Sequence, residues 1–130
     1  MSSPFKFTSR LRSFRYAGRG IWLTLKSQHN AWIHAAATII VLTASYVLGI
    51  SRLEWCLIVL ACAAVWAAEA LNTALEHLAD ATTKEFHPII GKAKDVAAGA
   101  VLITAIAAVV VGVLVLGPHI LDLVRTGHLP

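Results

Sequence analysis

Charged residues are scarce in this chain of 130 residues. They make up 14% of it, while hydrophobic residues make up 58% and the mean hydropathy is +0.72. Ordinary soluble domains carry about 25% charged residues. A soluble core of this size cannot enclose so much apolar surface, whereas lipid can cover it. The composition therefore excludes an ordinary soluble domain, and the length, below the ~150 residues of a typical domain, predicts one domain over 1–130.

The chain has only two cysteines, and it lacks the glycine-rich phosphate-binding loop common in nucleotide-binding proteins. Cys56 and Cys62 stand six positions apart in an apolar stretch, which is neither a metal-ligand nor a redox spacing, so we expect both in the core. The pair Gly91 and Lys92 lacks both the earlier glycine and the following Ser or Thr of a phosphate-binding loop. A P-loop enzyme is therefore excluded.

Acidic residues are absent from the first thirty positions, which contain six Lys and Arg and no long apolar run. This excludes a secretory signal, and although the composition also fits a transit peptide, a helical period argues against a removed segment. We predict an amphipathic surface helix over about 5–27, either only an anchor on anionic lipid or also a surface for an anionic ligand such as a nucleotide. Its apolar face comprises Phe7, Leu11, Phe14, Gly18, Ile21 and Leu25, and Arg12, Arg15, Arg19 and Lys26 lie about 100° away.

Long uncharged runs occupy most of the remaining chain. Residues 31–50 and 97–116 each contain no Lys, Arg, Asp or Glu, and about 20 helical residues cross a ~30 Å hydrocarbon core. Another run begins near Leu53 and becomes acidic at its far end, while Gly117 and Pro118 are predicted to end the last helix. The predicted fold is an all-α membrane protein with a surface helix and three transmembrane helices, at about 31–50, 53–78 and 96–117.

The positive charges are distributed unevenly along these predicted spans. Lys and Arg concentrate in the first thirty residues and in the loop between the second and third spans, and Arg52 and Arg125 are the exceptions. By the positive-inside rule, this bias predicts a cytoplasmic N-terminus and an external C-terminus.

Most of the acidic residues cluster within a short part of the chain. Five of the seven lie between positions 69 and 95, and four polar side chains fall within roughly 80° of one helical face. Glu69 is placed about 9 Å inside the hydrocarbon boundary, where a carboxylate is either a helix-packing contact or a functional group. We call this set the acidic stripe: Glu69, Asn72, Glu76 and Asp80.

The acidic stripe suits phosphoryl transfer to a lipid. A carboxylate in apolar surroundings can exchange protons near neutral pH, so Glu69 is a candidate general base for a hydroxyl within the leaflet. Glu76 and Asp80, nearer the cytoplasm, offer the oxygen ligands that Mg²⁺ takes together with substrate phosphates. Lys92 and Lys94 can neutralise phosphate oxygens or serve only as a positive cytoplasmic flank.

Three segments carry a resemblance to a known family. Residues 69–76 (EALNTALE) with Asp80, residues 91–101 (GKAKDVAAGAV) and residues 29–34 (HNAWIH) are similar to the bacterial integral-membrane diacylglycerol kinase and undecaprenol kinase family. The resemblance covers nearly the whole chain. It implies an ATP- and Mg²⁺-dependent lipid kinase of the bacterial cytoplasmic (inner) membrane, a homotrimer whose active sites lie between protomers.

The resemblance also implies individual roles. Glu69 matches the catalytic base and Glu76 a metal ligand. Gln28 stands where many members have a second metal-binding glutamate, and it would give the metal one less compensating charge. The positions that match nucleotide- and phosphate-binding groups are Asn72, Lys94, Asp95, Asp80, Glu85, His87, Tyr16 and Arg19.

The sequence leaves two alternatives open, one for the lipid acceptor and one for the class of function. Diacylglycerol, giving phosphatidic acid, is the acceptor that we expect, and undecaprenol is the alternative because residues 29–34 resemble the undecaprenol branch. A non-enzymatic scaffold or small transporter, with Glu69 carrying protons, is the alternative of another class. It would not need Lys94 and Asp95 beside the acidic stripe. His34, inside the first predicted span, is either a buried hydrogen-bonded residue or a functional one.

Overall fold

The structure, a computed structural model, describes residues 7–27, 29–83, 85 and 87–128, and all of the regular secondary structure within them is helical. Gln28, one of the two predicted metal ligands, lies outside the described residues. The prediction of an all-α protein is confirmed. The helices are α1 (Phe7–Ser27), α2 (His29–Val47), α3 (Arg52–Thr82) and α4 (Pro88–Thr126).

Three of these helices, α2, α3 and α4, are long and apolar enough to cross a membrane. This confirms the prediction of three spans. Helix α4 has 39 residues and is therefore roughly 58 Å long, so it extends well beyond a ~30 Å hydrocarbon core. Residues 88–95, which precede the span predicted at about 96–117, form its first two turns.

Helix α1 packs against α2 and α3. Its described side chains include exposed aromatic ones, among them Phe14 and Trp22, and one buried hydroxyl, that of Thr24. The Thr24 hydroxyl donates a hydrogen bond to the Gly20 carbonyl at 3.2 Å. The helix bounds agree with the predicted surface helix, and the amphipathic surface role stays a prediction.

A tight turn connects α2 to α3. Gly49 has a φ of 61°, a conformation that glycine adopts without the steric penalty of a Cβ. Ser51 then caps α3: its hydroxyl accepts from the Glu54 N–H at 3.4 Å, and its own N–H donates to Glu54 Oε2 at 2.7 Å. This capping box starts α3 immediately after the turn and makes α2 and α3 antiparallel neighbours.

The prediction that Gly117 and Pro118 end the last helix is wrong, because α4 continues through Pro118 to Thr126. Proline removes one backbone donor, and packing on both sides of it holds the helix together. His119 Nε2 lies 2.9 Å from Glu54 Oε1 on α3, and Leu123 packs against the core. The helix ends instead at Thr126, and Gly127, which has a φ of 70°, caps it.

The main packing interface is between α3 and α4. Its buried core lies near the α2–α3 turn, and most other large apolar side chains are exposed on the helix surfaces, as expected for a lipid-facing protein. Cys62 is half-buried against this core, but the prediction of a buried Cys56 is wrong: Cys56 is exposed because it lies about 200° around α3 from the buried Ile58. The core comprises Leu48, Ile50, Ile58, Val115 and Leu116.

Candidate active site

Helix α3 carries a buried polar segment in the middle of the bundle. Glu69 is only 1% exposed, and Asn72 and Thr73 are also buried. Their spacing of three and four residues places Glu69, Asn72 and Glu76 on the same face of α3, as the sequence predicts. The side-chain amide of Asn72 donates to Glu76 Oε1 at 3.1 Å.

These three side chains of the acidic stripe line one cavity of about 250 Å³, which we call the polar pocket. It lies where α2, α3 and α4 meet, so each helix contributes part of its wall. Helix α4 supplies only apolar side chains, which exclude water from that wall. The lining residues are Asn30, Ile33 and His34 from α2, Glu69, Asn72 and Glu76 from α3, and Ala98, Val101, Leu102 and Ala105 from α4.

Buried oxygen atoms in the polar pocket lack hydrogen-bond partners. Among the described residues, neither carboxylate oxygen of Glu69 nor Oδ1 of Asn72 accepts a hydrogen bond. Buried polar groups are normally paired, and a catalytic role or a bound water or ion is among the reasons for an exception. His34 Nε2 lies 3.9 Å from Glu69 Oε2, beyond hydrogen-bond distance. The pocket therefore offers free acceptor atoms to a donor or a cation.

The oxygen atoms present fit a magnesium ion. The Glu76 carboxylate and the unpartnered Asn72 Oδ1 are hard oxygen donors on neighbouring turns of α3, and Mg²⁺ is usually held by one or two carboxylates together with phosphate oxygens and water. Within the described part of the chain, no three His, Cys, Asp or Glu side chains converge as a metal-binding group. An ion at Glu76 would thus take most of its ligands from phosphate and water.

The fourth member of the acidic stripe, Asp80, lies outside the polar pocket. Its Oδ1 accepts from Lys94 Nζ at 2.6 Å, which joins α3 to α4 one turn beyond Glu76. Asp80 is exposed and Lys94 is partly exposed, and neither lines the pocket. The structure thus brings Lys94 to the acidic stripe, as predicted, but pairs it with Asp80.

The other predicted nucleotide-binding residues are exposed and do not line the polar pocket of this single chain. Asp95 follows Lys94 on α4, and Tyr16 and Arg19 lie on α1. Glu85 and His87 belong to the short connection before α4, where the His87 carbonyl accepts the Gly91 N–H at 3.0 Å. Their proposed roles stay predictions.

Two polar residues of the pocket are not among the predicted site residues, although His34 is predicted to be either a buried hydrogen-bonded residue or a functional one. Asn30 and His34 stand four positions apart and therefore share one face of α2, a spacing that could have paired them. The sequence offered no sign that this face meets Glu69, because that depends on how α2 packs against α3.

A second, larger cavity of about 550 Å³ adjoins the polar pocket, and its lining is almost entirely apolar. We call it the apolar groove. It shares Ile33, His34 and Ala105 with the polar pocket and extends between α2 and α4 toward Ile120. The two cavities are therefore contiguous, and their boundary lies beside Glu69.

A comparison with protein families settles where the chain belongs. The profile described as prokaryotic diacylglycerol kinase matches residues 15–116, which include every lining residue of the polar pocket. The chain belongs to the prokaryotic diacylglycerol kinase family. This confirms the resemblance seen in the sequence.

Individual relatives agree with this family. The chain is 40% identical over 109 residues to the undecaprenol kinase of Bacillus subtilis (strain 168), covering 84% of this chain and 89% of the relative. It is 41% identical over 114 residues to the diacylglycerol kinase of a Synechocystis species, and the match covers 87% of this chain and 65% of the relative. It is 30% identical over 120 residues to the diacylglycerol kinase of Escherichia coli (strain K12), and the match covers 87% of this chain and 93% of the relative.

These relatives are named as lipid kinases, and the chain is a membrane-embedded lipid kinase of the same family. The relatives therefore favour the kinase over the scaffold or transporter that the sequence left open.

Proposed function

We propose that this lipid kinase transfers the γ-phosphate of ATP to the hydroxyl of diacylglycerol in the inner membrane. The observation that carries the proposal is the buried carboxylate of Glu69, whose two oxygens have no hydrogen-bond partner among the described residues and which lies where the polar pocket meets the apolar groove. A lipid chain in the groove would bring its hydroxyl group to this carboxylate. The family supports ATP as the co-substrate.

In the proposed reaction, Glu69 accepts the proton of the acceptor hydroxyl. The hydroxyl oxygen forms a bond to the γ-phosphorus, the bond from that phosphorus to the β–γ bridging oxygen breaks, and ADP leaves with the electron pair. Transfer is direct and in line, without a phosphoenzyme. Positioning and charge neutralisation supply most of the catalysis in such reactions.

Glu76 is proposed to hold Mg²⁺, with Asn72 Oδ1 beside it and Gln28 as a further ligand. Bound there, the ion would neutralise charge on the phosphate oxygens. The Asn72 amide, which donates to Glu76 Oε1 at 3.1 Å, holds that carboxylate beside Asn72 in the polar pocket. Glu76 lies about 10 Å along α3 from Glu69, which leaves room for one phosphoryl group between them.

The nucleotide is proposed to bind at the cytoplasmic end of the bundle. Lys94, which the ion pair with Asp80 holds beside the acidic stripe, would contact the phosphates. The exposed residues Asp95, Glu85, His87, Tyr16 and Arg19 would complete the binding surface. This orientation requires a cytoplasmic N-terminus and an external C-terminus, in keeping with the charge bias along the chain.

We propose a homotrimer with active sites shared between protomers. One observation favours sharing: a single chain places Glu69, Asn72 and Glu76 in the polar pocket, but leaves Asp95, Glu85 and His87 exposed outside it. The exposed apolar face of α3, which includes Leu57, Leu60 and Leu71, is available for packing against another copy or lipid.

Undecaprenol is the second candidate acceptor, because the Bacillus subtilis relative is named undecaprenol kinase. The purified protein in mixed micelles, given labelled ATP and Mg²⁺ with either lipid alcohol, tests both. Faster formation of labelled phosphatidic acid supports diacylglycerol, and faster formation of undecaprenyl phosphate corrects the acceptor. Failure to label either lipid would contradict the proposed reaction.

A further inference from the structure

His34 occupies the boundary between the two cavities. It is the one residue with a titratable side chain that lines both the polar pocket and the apolar groove, among the residues that the structure describes. Its side chain is 16% exposed, and its Nε2 lies 3.9 Å from Oε2 of Glu69, which is 1% exposed. The imidazole ring therefore lies beside the path of a lipid hydroxyl that moves from the groove to Glu69.

The imidazole of His34 and the carboxylate of Glu69 lie only slightly too far apart for a hydrogen bond. The side-chain carboxylate of Glu69 accepts no hydrogen bond from any described residue, and an approach of about 1 Å would bring His34 Nε2 within the usual 2.7–3.2 Å of Oε2. Hydrogen bonds of catalytic groups are often long without substrate and shorten when the substrate binds. A bond to Oε2 would leave Oε1 to accept from the acceptor hydroxyl.

Hydrogen bonds one turn along α2 hold the His34 backbone in place. The hydroxyl of Thr38 donates to the His34 carbonyl at 2.7 Å, and the indole N–H of Trp66 on α3 donates to the Thr38 oxygen at 3.1 Å. This connection ties the His34 segment of α2 to the helix that carries Glu69. The imidazole therefore approaches Glu69 from a fixed backbone position.

We propose that His34 is a positioning residue for the acceptor step: it donates its Nε2 hydrogen to Glu69 Oε2 and orients the carboxylate toward the lipid hydroxyl. The acceptor proton goes to Glu69, and His34 exchanges none. This inference rests on the proposed function of Glu69 as the general base.

The first test compares His34→Leu with His34→Gln, whose side-chain amide can still donate. With ATP, Mg²⁺ and the lipid alcohol that the wild type phosphorylates, we expect His34→Leu to lower kcat by about 10- to 100-fold, the worth of a hydrogen bond to a charged group. The KM for ATP should not change, and His34→Gln should recover most of the loss. Ser45→Ala removes a buried polar group elsewhere on α2, whose Oγ has no partner among the described residues, and should retain wild-type kcat.

A double mutant separates positioning from general packing. If His34 acts only through Glu69, His34→Leu should have no further effect on single-turnover transfer in a Glu69→Gln background. A further tenfold loss there would overturn the inference, as would a wild-type kcat for His34→Leu alone. A wild type that phosphorylates neither lipid would overturn the proposed function as well.

A spectroscopic measurement reports the contact without turnover. In protein labelled with ¹⁵N-histidine, with His34→Gln used to assign the signal, Glu69→Gln should shift the ring-nitrogen resonance of His34. An unchanged resonance in the presence of the lipid alcohol would contradict a hydrogen bond between the two side chains.

Discussion

The amide nitrogen of Asn72 donates to Glu76 Oε1 at 3.1 Å, while the amide oxygen of the same side chain is buried without a partner among the described residues. One residue thus orients a carboxylate and presents a free oxygen next to it. This pair is the part of the polar pocket whose chemistry best suits a magnesium ion.

Glu76→Ala should abolish activity and weaken the Mg²⁺ dependence of nucleotide binding, because it removes the only carboxylate we assign to the ion. Glu76→Gln is the matched control for side-chain size, and it should weaken Mg²⁺ binding less than alanine does. Titration of Mg²⁺ against nucleotide binding measures both effects. A titration curve identical to that of the wild type would refute the role of Glu76 as a ligand.

Gln28→Glu should tighten Mg²⁺ binding if residue 28 contacts the ion. The Coulomb attraction gained, after the cost of desolvating the new carboxylate, leaves a net gain of about 1 kcal/mol, or roughly fivefold in affinity. The Mg²⁺ concentration that gives half-maximal turnover measures it. If the Mg²⁺ requirement and the turnover were both unchanged, another residue, such as Asp80, would be the ligand. If activity were lost at every Mg²⁺ concentration, Gln28 would belong to the nucleotide site.

Lys94→Ala should raise the KM for ATP strongly, because a lysine near the acidic stripe would contact phosphate oxygens. Asp80→Asn removes the partner of Lys94 and leaves the ammonium group in place, so it should change the KM for ATP much less. Lys92→Ala removes an exposed charge two positions away and controls for the general positive potential. Equal effects of Lys92→Ala and Lys94→Ala would contradict a specific contact by Lys94.

We expect the contacts of Ser51 and Glu54, at the end of the bundle that lies away from the polar pocket, to stabilise the fold. Ser51→Ala removes one half of the capping box at α3 and should lower stability by about 1 kcal/mol, the usual worth of such a cap. Glu54→Ala should lower the unfolding temperature further, because Glu54 also contacts His119 beyond Pro118. Thermal unfolding in detergent measures both variants, and a smaller effect for Glu54→Ala than for Ser51→Ala would contradict this account.

Much of the fold was predictable from the sequence, because uncharged runs of about twenty residues are a local signal for membrane-spanning helices. The shared face of Glu69, Asn72 and Glu76 was also predictable, because the spacing of residues along a single helix sets it. Contacts between helices could not be predicted from such local signals. The continuation of α4 through Pro118 depends on packing against Glu54 and the core, and the approach of His34 to Glu69 depends on how α2 and α3 meet.

The central claim is that Glu69 takes the proton of the lipid hydroxyl, and Glu69→Gln tests it most directly. The amide has nearly the same size as the carboxylate but cannot act as a general base, so the variant should fold and bind nucleotide as the wild type does. Transfer of labelled phosphate to the lipid should fall by about 10²- to 10⁴-fold, the usual contribution of a general base. Wild-type turnover of Glu69→Gln, in the same micelles and at the same Mg²⁺ concentration, would contradict the account.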